Sequence, residues 1–150
     1  MSARARFTAR ALALALAGCA GCGTTPLSLT QLRSSATQVC QQATKRAQRI
    51  PNPASPEAAD AFLRRGIGVL RSEFAGLRAL RPPNNLADTY RASLDDLSEQ
   101  VRLLREADQH LAAGADPVMA VRRLQAQLAP LESRADANWR SLEIPACASQ

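Results

Sequence analysis

The chain has 150 residues, 46% of them hydrophobic and only 3% aromatic, with 19 basic against 13 acidic side chains. That length predicts one domain, with enough apolar mass for a core that needs no metal. Three of the basic residues, Arg4, Arg6 and Arg10, precede an apolar run; without them 16 basic face 13 acidic residues, a surplus of three. So mild an imbalance is not the footprint of a nucleic-acid binder. The wealth of Ala, Leu and Arg, all good helix formers, points to an all-α fold.

Residues 1–10 are basic and lack acids, and Ala11–Ala17 (ALALALA) is a seven-residue apolar run. At about 1.5 Å per residue it is far too short to cross a hydrocarbon core of about 30 Å, so an export signal is expected here and not a span. Leu16-Ala17-Gly18-Cys19 then places small residues before a cysteine. It resembles the lipobox of bacterial lipoproteins. That resemblance implies cleavage after residue 18 and lipidation of Cys19, with 1–18 as signal peptide, 19–27 as tether and 28–150 as the folded domain. Acyl chains contribute about 0.8 kcal/mol per buried methylene, and several on one cysteine suffice for a stable anchor. Cys22, also preceded by Ala-Gly, is the second candidate; an ordinary secretory signal cut near Ala20 or Gly21 is the alternative.

Helix one is expected from Ser28, where Ser28 and Gln31 make a capping box and Leu27 and Leu32 a hydrophobic staple. Its stripe runs Leu29, Leu32, Ala36, Val39, Cys40, Ala43, Ala47, Ile50, and Pro51-Asn52-Pro53 ends it. Helix two opens at Ser55-Pro56-Glu57 and carries Ala59, Phe62, Leu63, Ile67, Leu70, Phe74, Leu77 and Leu80 inward. Gly66, Gly68 and Gly76 weaken it, and close approach of a neighbouring helix is one reason for them to be there. Helix three is expected to be capped by Asn85, with a heptad-like stripe Leu86, Tyr90, Leu94, Leu97, Val101, Leu104, Leu111 and a C-terminal cap at Gly114. Helix four opens at Asp116-Pro117 and continues to Leu142, with a kink or break near Ala126 where the Pro130 ring meets the carbonyl four residues back. Ile144–Cys147 is expected as a non-helical tail. Four stripes on short loops predict an antiparallel up-down-up-down four-helix bundle.

With Cys19 acylated, Cys22, Cys40 and Cys147 remain, and exported cysteines usually pair. Cys40 on the first stripe and Cys147 in the tail are the expected pair, closing a loop for which chain entropy gives about 4.7 kcal/mol. The pairing needs either a tail that folds back or a helix four shortened at Pro130. Cys22 is then free, or is itself the lipidated residue. The segments Leu77–Pro83, Gly114–Pro117 and Trp139–Cys147 resemble those of small exported helical proteins of high-G+C bacteria. That group has no assigned activity, so the resemblance supports the fold and the staple and implies no chemistry.

His110 stands one turn after Glu106 with Asp108 beside it, but no second histidine completes a metal shell, and solvated polar groups are the plainer reading. Asp95, Asp96 and Glu99 lie off the apolar stripe and are expected on a solvated face. Lys45-Arg46-Arg49, Arg64-Arg65 and Arg122-Arg123 are expected on solvated faces too, with anionic wall polymers or headgroups as the functional alternative. Trp139 fits the core. No nucleophile elbow, phosphate loop or dinucleotide fingerprint occurs. The sequence therefore points to a membrane-anchored, extracytoplasmic lipoprotein without metal or cofactor, a non-enzymatic structural or interaction module whose partner is an envelope protein or wall polymer. The alternative is a carrier of a small apolar ligand in a cavity lined by Phe62, Leu70 and Phe74.

Overall fold

The computed structural model describes residues 25–148, so Cys19 and Cys22 lie outside the described residues. Four helices carry the fold: α1 (Leu29–Ala47), α2 (Ala59–Arg78), α3 (Ala87–Ala112) and α4 (Pro117–Ser141), with short 3₁₀ turns at Pro56–Ala58, Asn84–Leu86 and Pro145–Cys147 and no strand among the described residues. At α1 the Ser28 hydroxyl accepts the Gln31 amide while the Gln31 side chain accepts the Ser28 amide. Both halves of the capping box are thus in place. Leu27 packs in the same cluster as Leu32, but its amide already donates to the Arg81 carbonyl at 2.8 Å.

Two caps differ from expectation. Neither Ser55 nor Asn85 makes a side-chain cap; α2 and α3 are each led in by a 3₁₀ turn, with Pro56 or Pro83 setting the backbone ahead of the helix. Asp116 does cap α4, accepting the Met119 amide at 2.8 Å. Gly114, at φ 85°, closes α3, with the Ala115 amide reaching back to His110 and its own amide to Leu111. This is the paired bonding of a Schellman motif.

Cross-helix pairs show consecutive helices running antiparallel. Along α1 and α2, Leu27 meets Arg81 while Arg46 meets Ser72. Along α2 and α3, Tyr90 meets Leu77 while Arg64 meets Asp108; along α3 and α4, Tyr90 meets Trp139 while Asp96 meets Arg134. The direction therefore alternates at every turn. The core divides in two. One cluster holds Leu32, Ala36, Cys40, Leu77, Tyr90, Leu97, Ala135, Trp139, Leu142, Ile144 and Cys147, drawn from all four helices and the tail. The other, Leu63, Leu103, Ala107, Leu124 and Leu131, comes from α2, α3 and α4 alone. α1 packs on α2 and on the tail, whereas α4 packs chiefly on α3.

Pro130 does not break α4, which is helical throughout Pro117–Ser141. Both Pro130 and Ala126 face solvent, so the Ala126 carbonyl that loses its amide partner is open to water. It is the tail that folds back. Glu143 takes the left-handed conformation at φ 58°, the Ile144 amide bonds to the Trp139 carbonyl and the Glu143 amide to that of Arg140. This second Schellman motif uses a glutamate where glycine is usual. The reversal leads into the turn Pro145–Cys147, a helical turn where an irregular tail was expected, and brings Cys147 to 5.1 Å Cα–Cα from Cys40, bonded across 107 residues.

Of the glycines in α2, only Gly76 meets a neighbouring helix: a Cβ there would lie 3.0 Å from the Val39 Cγ1, while Gly66 and Gly68 face open space. Gly66→Ala and Gly68→Ala are each expected to raise stability by up to about 1 kcal/mol in denaturant melts, the helix-propensity difference. Gly76→Ala gains nothing, and a double-mutant cycle with Val39→Ala shows a coupling of at least about 0.5 kcal/mol.

Candidate functional site

The junction of α1, α4 and the tail is where Cys40 and Cys147 come together. Cys40 is fully buried and Cys147 nearly so. Beside them, the Arg33 Nε donates to the Leu142 carbonyl at 3.1 Å and Nη2 pairs with the Glu143 carboxylate at 2.8 Å. A cation from α1 thus sits at the C-terminus of α4, where free carbonyls and the helix dipole favour it. Trp139 is buried, as expected of a core residue, and meets Tyr90 edge to face with ring centres 5.7 Å apart. The Tyr90 hydroxyl donates to the Leu77 carbonyl at 2.8 Å. Burial pushes this phenol well above the ordinary tyrosine range.

From this junction a groove of about 500 Å³ runs between α2 and α4 over α3. Leu70, Leu97, Leu104 and Leu128 supply apolar surface, and Glu73, Gln100, Glu132 and Asp136 supply polar groups, with no basic residue in the lining. It is not the cavity imagined for an apolar carrier. Leu70 faces this groove, Phe74 lines a different cleft between α2 and α3, and Phe62 is exposed. The three diverge because α2 turns about 100° per residue and has neighbours on two sides.

Asp96 corrects the reading of the acidic cluster. It is buried, and its carboxylate takes Nε and Nη2 of Arg134 at 3.2 and 2.6 Å. The expected stripe of α3 is too narrow: α3 packs on both α2 and α4, so Ser93, Asp96, Leu103 and Ala107 are buried beside Leu97 and Val101. Asp95 and Glu99 are on the outside, and Arg102 holds Glu99 below the usual carboxylate range. His110 is exposed, and its neighbours serve other residues: Glu106 pairs with Arg102, Asp108 with Arg64 at 3.4 Å. Among the described residues no group of three or more His, Cys, Asp or Glu side chains is placed to hold a metal ion.

Of the expected basic groups, Arg46 and Arg49 line one cleft with Arg65, Arg46 also donating to Ser72, while Arg64 pairs with Asp60. A concentration that pairwise reading of the chain missed lies between α2 and α3, where Arg71 and Arg78 face Arg102 and Arg105 across a cleft. The signal was there as a seven-residue step on α2 and a three-residue step on α3, each setting two arginines on one helical face.

The described residues thus form an all-α domain of four antiparallel helices closed by the Cys40–Cys147 disulfide. Compared with known proteins, the chain matches no protein-family model, no curated protein and no solved structure.

Tyr90 is the chain's one tyrosine, so tyrosinate absorbance reports it alone. Below pH about 10 the phenol is neutral folded or unfolded; above it the unfolded chain ionises first, and stability falls as pH rises. The absorbance midpoint of the folded protein is expected above that of the denatured chain. Tyr90→Phe flattens the alkaline decline and lowers stability at neutral pH by about 0.5–1.5 kcal/mol, because the Leu77 carbonyl keeps the Leu80 amide.

Proposed function

We propose that this chain is an extracytoplasmic lipoprotein, held on a membrane through acyl chains on Cys19, that serves as a non-enzymatic structural or interaction module of the cell envelope. The observation that carries the reading is the Cys40–Cys147 disulfide, which closes 107 residues and lies in the core cluster shared by all four helices. Cysteines so paired persist in oxidising compartments and are reduced in cytosol. The basic leader, the short apolar run and Leu16-Ala17-Gly18-Cys19 give the same address from the other end of the chain. No helix among the described residues is long and apolar enough to cross a membrane; in this reading the lipid is the attachment. An envelope protein or a wall polymer is the partner class.

Intact mass of the protein from its own cells, alkylated with and without reduction, tests this. The expected product begins at Cys19, carries an acyl adduct, and exposes two further thiols only after reduction. Cys19→Ala abolishes the adduct and Cys22→Ala keeps it. A full-length chain without adduct, its thiols free before reduction, contradicts the proposal.

A further inference from the structure

The cleft between α2 and α3 has about 760 Å³, of the size that holds a small ligand. Its walls are mostly basic. Arg71 and Arg78 stand on α2 and Arg102 and Arg105 on α3, and the one acid in the lining is Glu99. That acid is already engaged: Arg102 holds Glu99 through Nε at 2.7 Å and reaches Glu106 with its other side. Among the described residues Arg71, Arg78 and Arg105 have no acidic partner. Several acids of α2 and α3 are committed elsewhere, Asp60 and Asp108 to Arg64, Asp88 to Arg91 and Asp96 to Arg134. Between the arginines the floor is apolar, made by Phe74 and Val101 with small alanines beside them.

Three arginines without an acidic partner in the lining of one cleft suit an anion with several acceptor oxygens, and phosphate is the group whose geometry their forked donors match. An apolar floor under a cationic rim suits a ligand that is itself amphiphilic. We propose that this cleft binds the phosphate headgroup of an anionic lipid, the arginines taking the phosphate and Phe74 and Val101 the first carbons of the acyl or glycerol portion. The proposal goes beyond the anchoring reading and does not depend on it, since binding is read on the isolated chain without any acyl group on Cys19.

The test is side-chain NMR of the full chain, which localises binding to the cleft and away from the basic leader. The probes are dihexanoyl phosphatidylglycerol as monomer, dihexanoyl phosphatidylcholine, and inorganic phosphate. Phosphatidylglycerol is expected to give saturable shifts of the Arg71, Arg78 and Arg105 Nε–H signals and of the Val101 methyls. Phosphatidylcholine binds at least about 10-fold more weakly. Inorganic phosphate moves the arginine signals at higher concentration and leaves Val101 unmoved. At about a fivefold contribution per basic group, the triple variant Arg71→Gln/Arg78→Gln/Arg105→Gln loses roughly 100-fold in affinity. The charge-matched Arg46→Gln/Arg122→Gln/Arg123→Gln stays within about threefold. Equal loss in both triple variants reduces the effect to net charge and overturns the proposal. So does phosphatidylcholine or inorganic phosphate binding as tightly as phosphatidylglycerol, or an absence of shifts in the cleft.

Discussion

One covalent bond decides how the first helix belongs to the rest. α1 lies along α2 and otherwise meets the fold through the returning tail, and the second core cluster contains no residue of α1. Burial of Leu32, Ala36, Cys40 and Ala43 supplies the apolar attraction, but three of these four side chains are small, so the gain per residue is modest. The disulfide adds a constraint on the unfolded chain of about 4–5 kcal/mol by the entropy argument for a loop of this length. A marginal domain has only about 5–15 kcal/mol in all. The bond therefore sets the geometry at one end of the bundle, where the chain enters the fold and where it leaves.

Getting Cys147 to Cys40 takes a reversal at the end of α4, and that reversal is costly. A glutamate in the left-handed region costs about 1–2 kcal/mol relative to its usual conformation. The surroundings offset it: two Schellman bonds, the full burial of Ile144 and Leu142, and Arg33 clamping both the Leu142 carbonyl and the Glu143 carboxylate. The same arrangement leaves charge segregated around α2. One side opens on a groove whose charged lining is all carboxylate, the other on a cleft walled by arginines.

How much of this could be read in the residues follows from the range of the forces involved. The starts of α1 and α4 and the end of α3 are local matters, written in Ser28 and Gln31, Asp116 and Pro117, and Gly114, and the structure has them where the sequence puts them. The pairing of Cys40 with Cys147 was legible because few partners were available. The route was not: a reversal built on Glu143 has no glycine to announce it, and one of its supports is Arg33, 110 positions away in the chain. Asp96 was misjudged for a similar reason, since a one-stripe reading of α3 cannot show that the helix is flanked on two sides. The arginine cleft is likewise a property of two helices side by side and not of either one.

The account turns on the claim that α1 is held to the rest of the domain by the staple. Hydrogen exchange, followed residue by residue in the oxidised and the reduced protein, tests it most directly. The account predicts that reduction strips protection from α1 and from Leu142–Cys147 while the facing parts of α3 and α4 around Leu103, Ala107 and Leu124 keep theirs. Protection unchanged on reduction, or lost evenly across all four helices, contradicts it.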